Sequence, residues 1–271
     1  MKPSKRVDYS SVCGVAVALT GILLGLKFAG ICAGDLVQIT AALIVLGGTL
    51  GAVLMSLPLA QVRTALRTIP TMFVDPPHGA AGVVELLTRY SRTARLKSLA
   101  ALEPEMKSIE DPFFRRAMSL AVDSVDSGTV RSILELELSV IRNRLDNPAV
   151  FFETAAGYAP TLGIAAAAIG LIQVMRHLDH LDLVGAGVAA AFVSTIYGIL
   201  LANVVLLPIA TKIRARGAEQ LGTYRLILEG IVAIVDGENP TLLRSRLDVF
   251  LQSDESVEKD RSLAPLLAQA R

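Results

Sequence analysis

Four apolar runs interrupt an otherwise amphipathic chain, at about Ser11–Ile31, Leu36–Leu57, Thr154–Met175 and Leu183–Ala210. A bilayer core of roughly 30 Å takes about 20 helical residues, so each run is long enough to cross it. Between the second and third runs the pattern changes. The stretches "GAAGVVELLTRYSRTARLKSLAALEPEMKSI" and "DPFFRRAMSLAVDSVDSGTVRSILELELSVIRNRL" carry apolar residues at i, i+3 and i+4 with charges between them. Pro76-Pro77, Pro104 and Asp111-Pro112 punctuate this segment. The spacing predicts a compact bundle of four or five helices, with Ser127 or Thr129 capping the one that carries Glu135 and Glu137. No strand-like alternation of any length occurs. After the fourth run, "AEQLGTYRLILEGIVAIVDGENPTLLRSRLDVFL" predicts an amphipathic helix, a Gly-Glu-Asn-Pro turn and a short helix, followed by a polar tail. The expected fold class is all-α, a polytopic membrane protein with four transmembrane helices and a helical cytoplasmic domain. Its expected divisions are 1–57 (tip and first two spans), 58–153 (helical domain), 154–211 (last two spans) and 212–271 (C-terminal helices and tail).

Composition sharpens this picture. The 271 residues are 52% hydrophobic and 19% charged, too apolar for an ordinary soluble protein. The formal net charge of +1 gives no field that would steer nucleic acid. Basic residues flank the spans on one side: Lys2, Lys5 and Arg6, then Arg63 and Arg67, then Lys212, Arg214 and Arg216. The connectors Cys32–Asp35 and "RHLDHLD" hold almost none, so both termini and the long middle segment are expected inside, with Asp35 and Asp182 outside. No cleavable signal peptide is expected, because the first apolar run lacks a small-residue cleavage site and leads at once into a second. Cys13 and Cys32 lie roughly 28 Å apart along one helix and cannot bond to each other there.

The spans are as notable for what they lack. Beyond Lys27, whose stem can snorkel to the headgroups, and up to the interfacial Glu153, Asp179 and Asp182, they contain no Asp, Glu, Lys, Arg or His. Intramembrane ionisable groups mark proton and ion paths, so this chain alone reads as neither pump nor transporter. Either it is a passive scaffold or a partner helix supplies the charge. Small residues form stripes: Pro160, Gly163, Ala167 and Gly170 on the third span, Ala191, Thr195, Gly198 and Ala202 on the fourth, with glycine pairs on the first two. Such stripes let backbones approach closely, within one subunit or between subunits. Pro160 removes one amide hydrogen bond and frees the Ala156 carbonyl, and Pro208 does the same near Val204. His177, Asp179, His180 and Asp182 have metal-binding residue types, but in a short loop where chance accounts for them, so no metal is expected. Ser194 and Ser56 have no base to activate them, and Gly185–Ala190 lacks both the strand and the Lys of a phosphate loop. No enzyme activity is expected.

These features resemble a known family, the A subunit of the bacterial flagellar motor stator (MotA/PomA type, within the MotA/TolQ/ExbB superfamily). The resemblance rests on "LIVLGGTLGAVLMSLPL", "ALEPEMKSIEDPFFRRAMSLAVDSVD", "YAPTLGIAAAAIGLI", "STIYGILLANVVLLPIATKI" and "EGIVAIVDGENPTLLRSRL", in that order along the chain. It implies torque generation at the inner membrane by a homo-oligomer, a pentamer around a dimer of a single-span, MotB-like B subunit that carries the essential membrane Asp. It implies conformational coupling through Pro160 and Pro208, and contact with the rotor switch protein FliG through charged side chains, for which the candidates are Arg89, Arg92, Arg95, Glu103 and Glu105, with Arg95 aligning with one of the family's basic positions and Glu103 with an acidic one. Where many relatives carry a second basic residue and a glycine pair, this chain reads Leu96, Lys97, Ser98. Energisers of the TolQ/ExbB type show three spans, with the large loop after the first, and a passive scaffold would not need the two prolines. For the ion, Thr195 offers one hydroxyl, whereas the facing position, where sodium-driven relatives place a second threonine, is Ala167; Thr161 lies on another stripe. The expected ion is therefore the proton, with no cofactor.

Overall fold

The structure is a computed structural model that describes residues 9–30, 33–70, 80–123, 126–176 and 181–249. Every element among them is helical: α1 (Tyr9–Phe28), α2 (Ile39–Ala42), α3 (Gly48–Ser56), α4 (Leu59–Thr68), α5 (Ala80–Leu96), α6 (Glu103–Met106), α7 (Pro112–Val122), α8 (Ser127–Met175), α9 (Leu181–Leu200) and α10 (Leu207–Val235). A further helix covers residues 240–249. Packing divides the chain into two units, Met1–Asp75 with Arg144–Arg216, and Pro76–Asn143 with Gly217–Arg271. These packing boundaries fall inside α8 and α10, whereas the hydrophobicity of the sequence changes at 57/58, 153/154 and 211/212.

Among the described residues Ile39–Ser56, Ser127–Met175 and Gly187–Val235 are helices long and apolar enough to cross a membrane, the last two with one end in the second unit, and Cys13–Phe28 of α1 is a shorter apolar stretch. The second span is not one α-helix: α2 and α3 are joined by a π-helical turn, Leu43–Gly47. A second π segment, Leu201–Leu206, joins α9 to α10 immediately before Pro208. Its cause is local. Pro208 has no N–H to give Val204, and its ring crowds that carbonyl. The helix widens, so that the Leu207 N–H reaches back five residues to the Ala202 carbonyl and fewer carbonyls are stranded in lipid. Pro160 was expected to act likewise, but α8 runs through it without a change of helix type. Below the spans a small core of Val53, Val62, Ala65, Phe151, Phe152 and Ile213 ties α3, α4, α8 and α10 together.

The second unit is built on an ordinary hydrophobic core. Leu87, Tyr90, Leu102, Met118, Leu134, Leu226, Ile231, Leu243 and Leu247 are fully buried and come from every helix of the unit except α6. Asp111 caps α7 by accepting from the Phe114 N–H at 2.8 Å, with Pro112 in the first turn. The cap of α8 corrects the sequence expectation. It is Asp126, not Ser127 or Thr129, and it accepts from the Thr129 N–H at 3.0 Å and from its hydroxyl. The Gly-Glu-Asn-Pro turn forms as expected. Gly237, at φ +70°, ends α10, and Glu238 N–H bonds the Ala233 carbonyl at 2.9 Å. Asn239 then caps the following helix through the Thr241 N–H at 2.9 Å.

One ion-pair network braces this unit. Arg131 of α8 grips Glu229 of α10 with two parallel bonds of 2.7 and 3.0 Å, and Arg246 reaches the same carboxylate at 3.0 Å. The Arg131 hydrogen bonds hold the Glu229 carboxyl below its ordinary value, against burial, which pushes it up. The stabilisation is therefore complete above the unfolded carboxylate value of 4.5 and fades as pH falls through the lower folded value. Glu229→Gln should cost roughly 1–3 kcal/mol near neutral pH. Thermal unfolding of the two proteins should converge as the pH is taken well below 4.5, and a gap that widened on acidification would contradict the pairing.

Candidate functional site

The expected membrane site lies where α8 passes α9. A Cβ built on Gly198 would meet the Ala159 carbonyl oxygen at 2.5 Å and the Pro160 Cα at 3.0 Å. One built on Gly163 would meet the Ser194 carbonyl oxygen at 3.0 Å, and one on Gly170 would meet the Ala191 Cβ at 3.4 Å. Ala156, Ala159 and Ala202 complete the seam as a buried cluster. The small-residue stripes of the third and fourth spans thus face each other inside one chain. Their glycines are spent on this internal pairing, and what is left for any other helix is the remaining face.

That face carries the alanine run unevenly: Ala166 is buried, Ala167 half-buried, and Ala165 and Ala168 exposed. Thr195 is half-buried at the edge of the seam and Thr161 is exposed, its hydroxyl donating to the Tyr158 carbonyl at 2.8 Å. Pro160 is half-buried against Gly198, and Pro208 is exposed. The structure therefore brings Pro160 to the α9 backbone, while Ala167 and Thr195 flank the seam. Ser194 is buried and donates to the Ala190 carbonyl at 3.2 Å, which leaves it a structural hydroxyl. Residues Gly185–Ala190 lie within α9, not after a strand.

Several polar groups escaped the sequence reading. The Ser56 and Tyr158 hydroxyls meet at 3.0 Å, joining the end of α3 to α8 half a turn before Pro160. Tyr197 of α9 donates to the Leu36 carbonyl at 2.5 Å and accepts the Gln38 N–H at 3.3 Å, fastening the start of the second span to the fourth. Asn203 sits in the π segment, exposed, with its amide donating to the Ile199 carbonyl at 2.9 Å. Thr49 is buried with no partner for its hydroxyl. At the foot of the spans Arg214 clamps Glu153 through bonds of 2.5 and 2.7 Å. This hydrogen bonding holds the Glu153 carboxyl below its ordinary value. Only this last pair had a usable signal, opposite charges just outside the apolar ends of two neighbouring spans.

The charged residues expected at the rotor lie on α5 and α6 of the second unit. Arg89 and Glu105 pair with each other at 3.2 Å, and the Arg89 guanidinium lies 5.4 Å over the Tyr90 ring. Arg92, Arg95 and Glu103 are exposed, and none of the three joins an ion pair among the described residues. Ser98, where the resemblance leads one to expect glycine, takes φ 148°, a conformation that glycine tolerates better. His177, Asp179 and His180 lie outside the described residues, as do the side chain of Asp182 and the basic residues before α1. Among the described residues no group of three or more His, Cys, Asp or Glu gathers to hold a metal.

Apolar helices joined by a glycine seam, without an acidic side chain in their apolar runs and attached to a charged helical unit, define a framework subunit of a membrane assembly. The comparisons say what such a subunit resembles. Residues 105–226 match the MotA/TolQ/ExbB proton channel family. Motility protein A of Bacillus subtilis (strain 168) is 28% identical over 257 residues, covering 93% of this chain and 94% of that protein. Chemotaxis protein PomA of Vibrio alginolyticus is 28% identical over 245 residues, covering 90% and 96%. The structure of the flagellar MotAB stator complex from Bacillus subtilis superposes with a TM-score of 0.85 at 26% identity, covering 93% of this chain and 99% of that one. The structure of C. jejuni MotAB gives the same score and identity, covering 90% and 95%. The chain is thus similar to the MotA/TolQ/ExbB proton channel family over residues 105–226 and to motility proteins over nearly its whole length.

The seam makes a testable demand. Gly198→Ala places a methyl group against backbone that cannot move aside and should lower stability by roughly 1–3 kcal/mol. Gly222→Ala, which meets nothing within 4 Å, should be neutral or slightly stabilising, since Ala favours helix over Gly. Thermal unfolding in detergent separates the two.

Proposed function

We propose that this protein is the stator A subunit of a bacterial flagellar motor, coupling ion flow across the inner membrane to torque on the rotor. The observation that carries the reading is the near full-length likeness to motility proteins and to MotAB stator chains, combined with spans that hold no acidic group and, beyond Lys27 near one end, no ionisable group at all. A chain of this kind needs a partner to bring the ion-binding acid. A single-span B subunit with a membrane Asp fits that need, held within a ring of A subunits. The second unit and both termini lie in the cytoplasm, where Arg89, Arg92, Arg95, Glu103 and Glu105 meet the rotor switch protein. The Arg89–Glu105 pair makes this contact one of exchange, because binding the rotor must break or share an existing ion pair.

The coupling elements are Pro160 and Pro208. Protonation of the partner's acid changes the charge beside the α8–α9 seam, and the π segment before Pro208 is where a helix can shift its register at small cost. The transported ion is the proton, because Ala167 offers no oxygen opposite the Thr195 hydroxyl, and a sodium ion shedding water needs several oxygen ligands. No reaction chemistry is assigned to the chain. The three-span energiser of envelope transport is the weaker reading, since the likeness to motility proteins runs over nearly the whole length of both chains.

In cells lacking their own A subunit, this chain with its B subunit should restore swimming that persists without sodium and stops when a protonophore collapses the gradient. Pro208→Ala should leave the protein in the membrane and abolish motility. Speed that tracked external sodium and ignored the protonophore would contradict the ion assignment, and failure of Pro208→Ala to insert would make the proline structural.

A further inference from the structure

The second unit contains a cleft between α8 and α10 whose floor is Leu138, Leu221 and Leu228 and whose rim carries Arg142 and Arg225. The cleft's own acids are committed elsewhere: Glu229 to Arg131 and Arg246, and Glu135 to Arg131 at 3.6 Å. Arg142 and Arg225 are exposed and join no ion pair among the described residues. The cleft thus presents two free guanidinium groups beside the half-buried Leu221, with Leu138 and Leu228 buried beneath it, a surface suited first of all to an acidic segment.

The chain itself contains such a segment. Residues 253–267 read "SDESVEKDRSLAPLL", with Asp254, Glu255, Glu258 and Asp260 ahead of Leu263, Leu266 and Leu267, and with Lys259 and Arg261 among them. The attachment point is also in place. The helix at 240–249 is pinned by Arg246 to Glu229, which is itself a wall of the cleft. From Val249 to Asp254 is five residues, a reach of up to about 17 Å. A tether that short raises the effective concentration to the millimolar range, where even weak exposed ion pairs suffice.

We propose that residues 254–267 dock in the cleft of their own chain, the acids on Arg142 and Arg225 and the leucines against the half-buried Leu221. The docked tail forms an intramolecular clasp that masks two arginines of the unit bearing the candidate rotor contacts. It makes the accessibility of that cleft dependent on salt and on any partner that competes for the tail.

Disulfide trapping tests this in the full chain, co-produced with its B subunit in native membranes, after Cys13→Ser and Cys32→Ser. Ser139→Cys in the cleft should form a bond with Ser256→Cys in the tail within one chain, much faster than does the exposed control Ser108→Cys. Arg142→Glu with Arg225→Glu should slow trapping roughly tenfold, as expected of a few exposed ion pairs lost together, and changing the four tail acids to Lys should restore it. Changing those four acids to Ser alone, which leaves the folded unit's sequence intact, should slow trapping as well. Bonds formed only between copies, equal rates at Ser139→Cys and Ser108→Cys, or rates indifferent to tail charge would each overturn the proposal.

Discussion

Backbone meets backbone where α9 crosses α8, and the absence of a side chain at Gly198 and Gly163 makes that approach possible. In lipid there is no hydrophobic drive between apolar helices, so association depends on close packing and on the few hydrogen bonds available. Here Gly163, Gly170 and Gly198 with Ala156, Ala159, Ala191 and Ala202 supply the packing between α8 and α9, while Tyr197 and the Ser56–Tyr158 pair bond the second span to the fourth and to the third. Spans held in this way need no buried charge. The membrane unit is consequently free of its own ion-binding acid, and this freedom makes it fit to surround a helix that has one.

The same seam explains why the two prolines behave differently. Pro160 sits where α8 is pressed against the α9 backbone, and its helix continues undisturbed. Pro208 is exposed at the end of a π segment, where the hydrogen-bond ladder has already changed register. One proline is held in the tight part of the structure and the other in a part that can adjust. Within the second unit, the Arg131–Glu229–Arg246 network keeps the helices together.

Much of this was legible in the chain because apolar length and 3.6-residue periodicity report burial directly. The spans and the helical middle segment follow from such signals, the Gly237 stop from its turn residues, and the family resemblance from motifs. What was not legible depends on which neighbour a face meets. The stripe on the third span announced a close contact but could not say that Gly198 of the same chain would occupy it. The cap of α8 fell to Asp126 because a carboxylate one residue earlier outcompetes the hydroxyls for the same N–H group. The π segment needed the Pro208 effect to be resolved one hydrogen bond at a time. In the candidate rotor surface, sequence placed Arg89 and Glu105 on nearby helices without showing that they bond to each other.

On the proposed function, this chain shapes a proton path whose acid belongs to another subunit. The most direct measurement is proton flux into sealed liposomes under a membrane potential, with the purified chain alone, with its B subunit, and with a B subunit whose membrane Asp is changed to Asn. Flux is expected only in the second case. Flux through the chain alone, or through the complex lacking the acid, would contradict it.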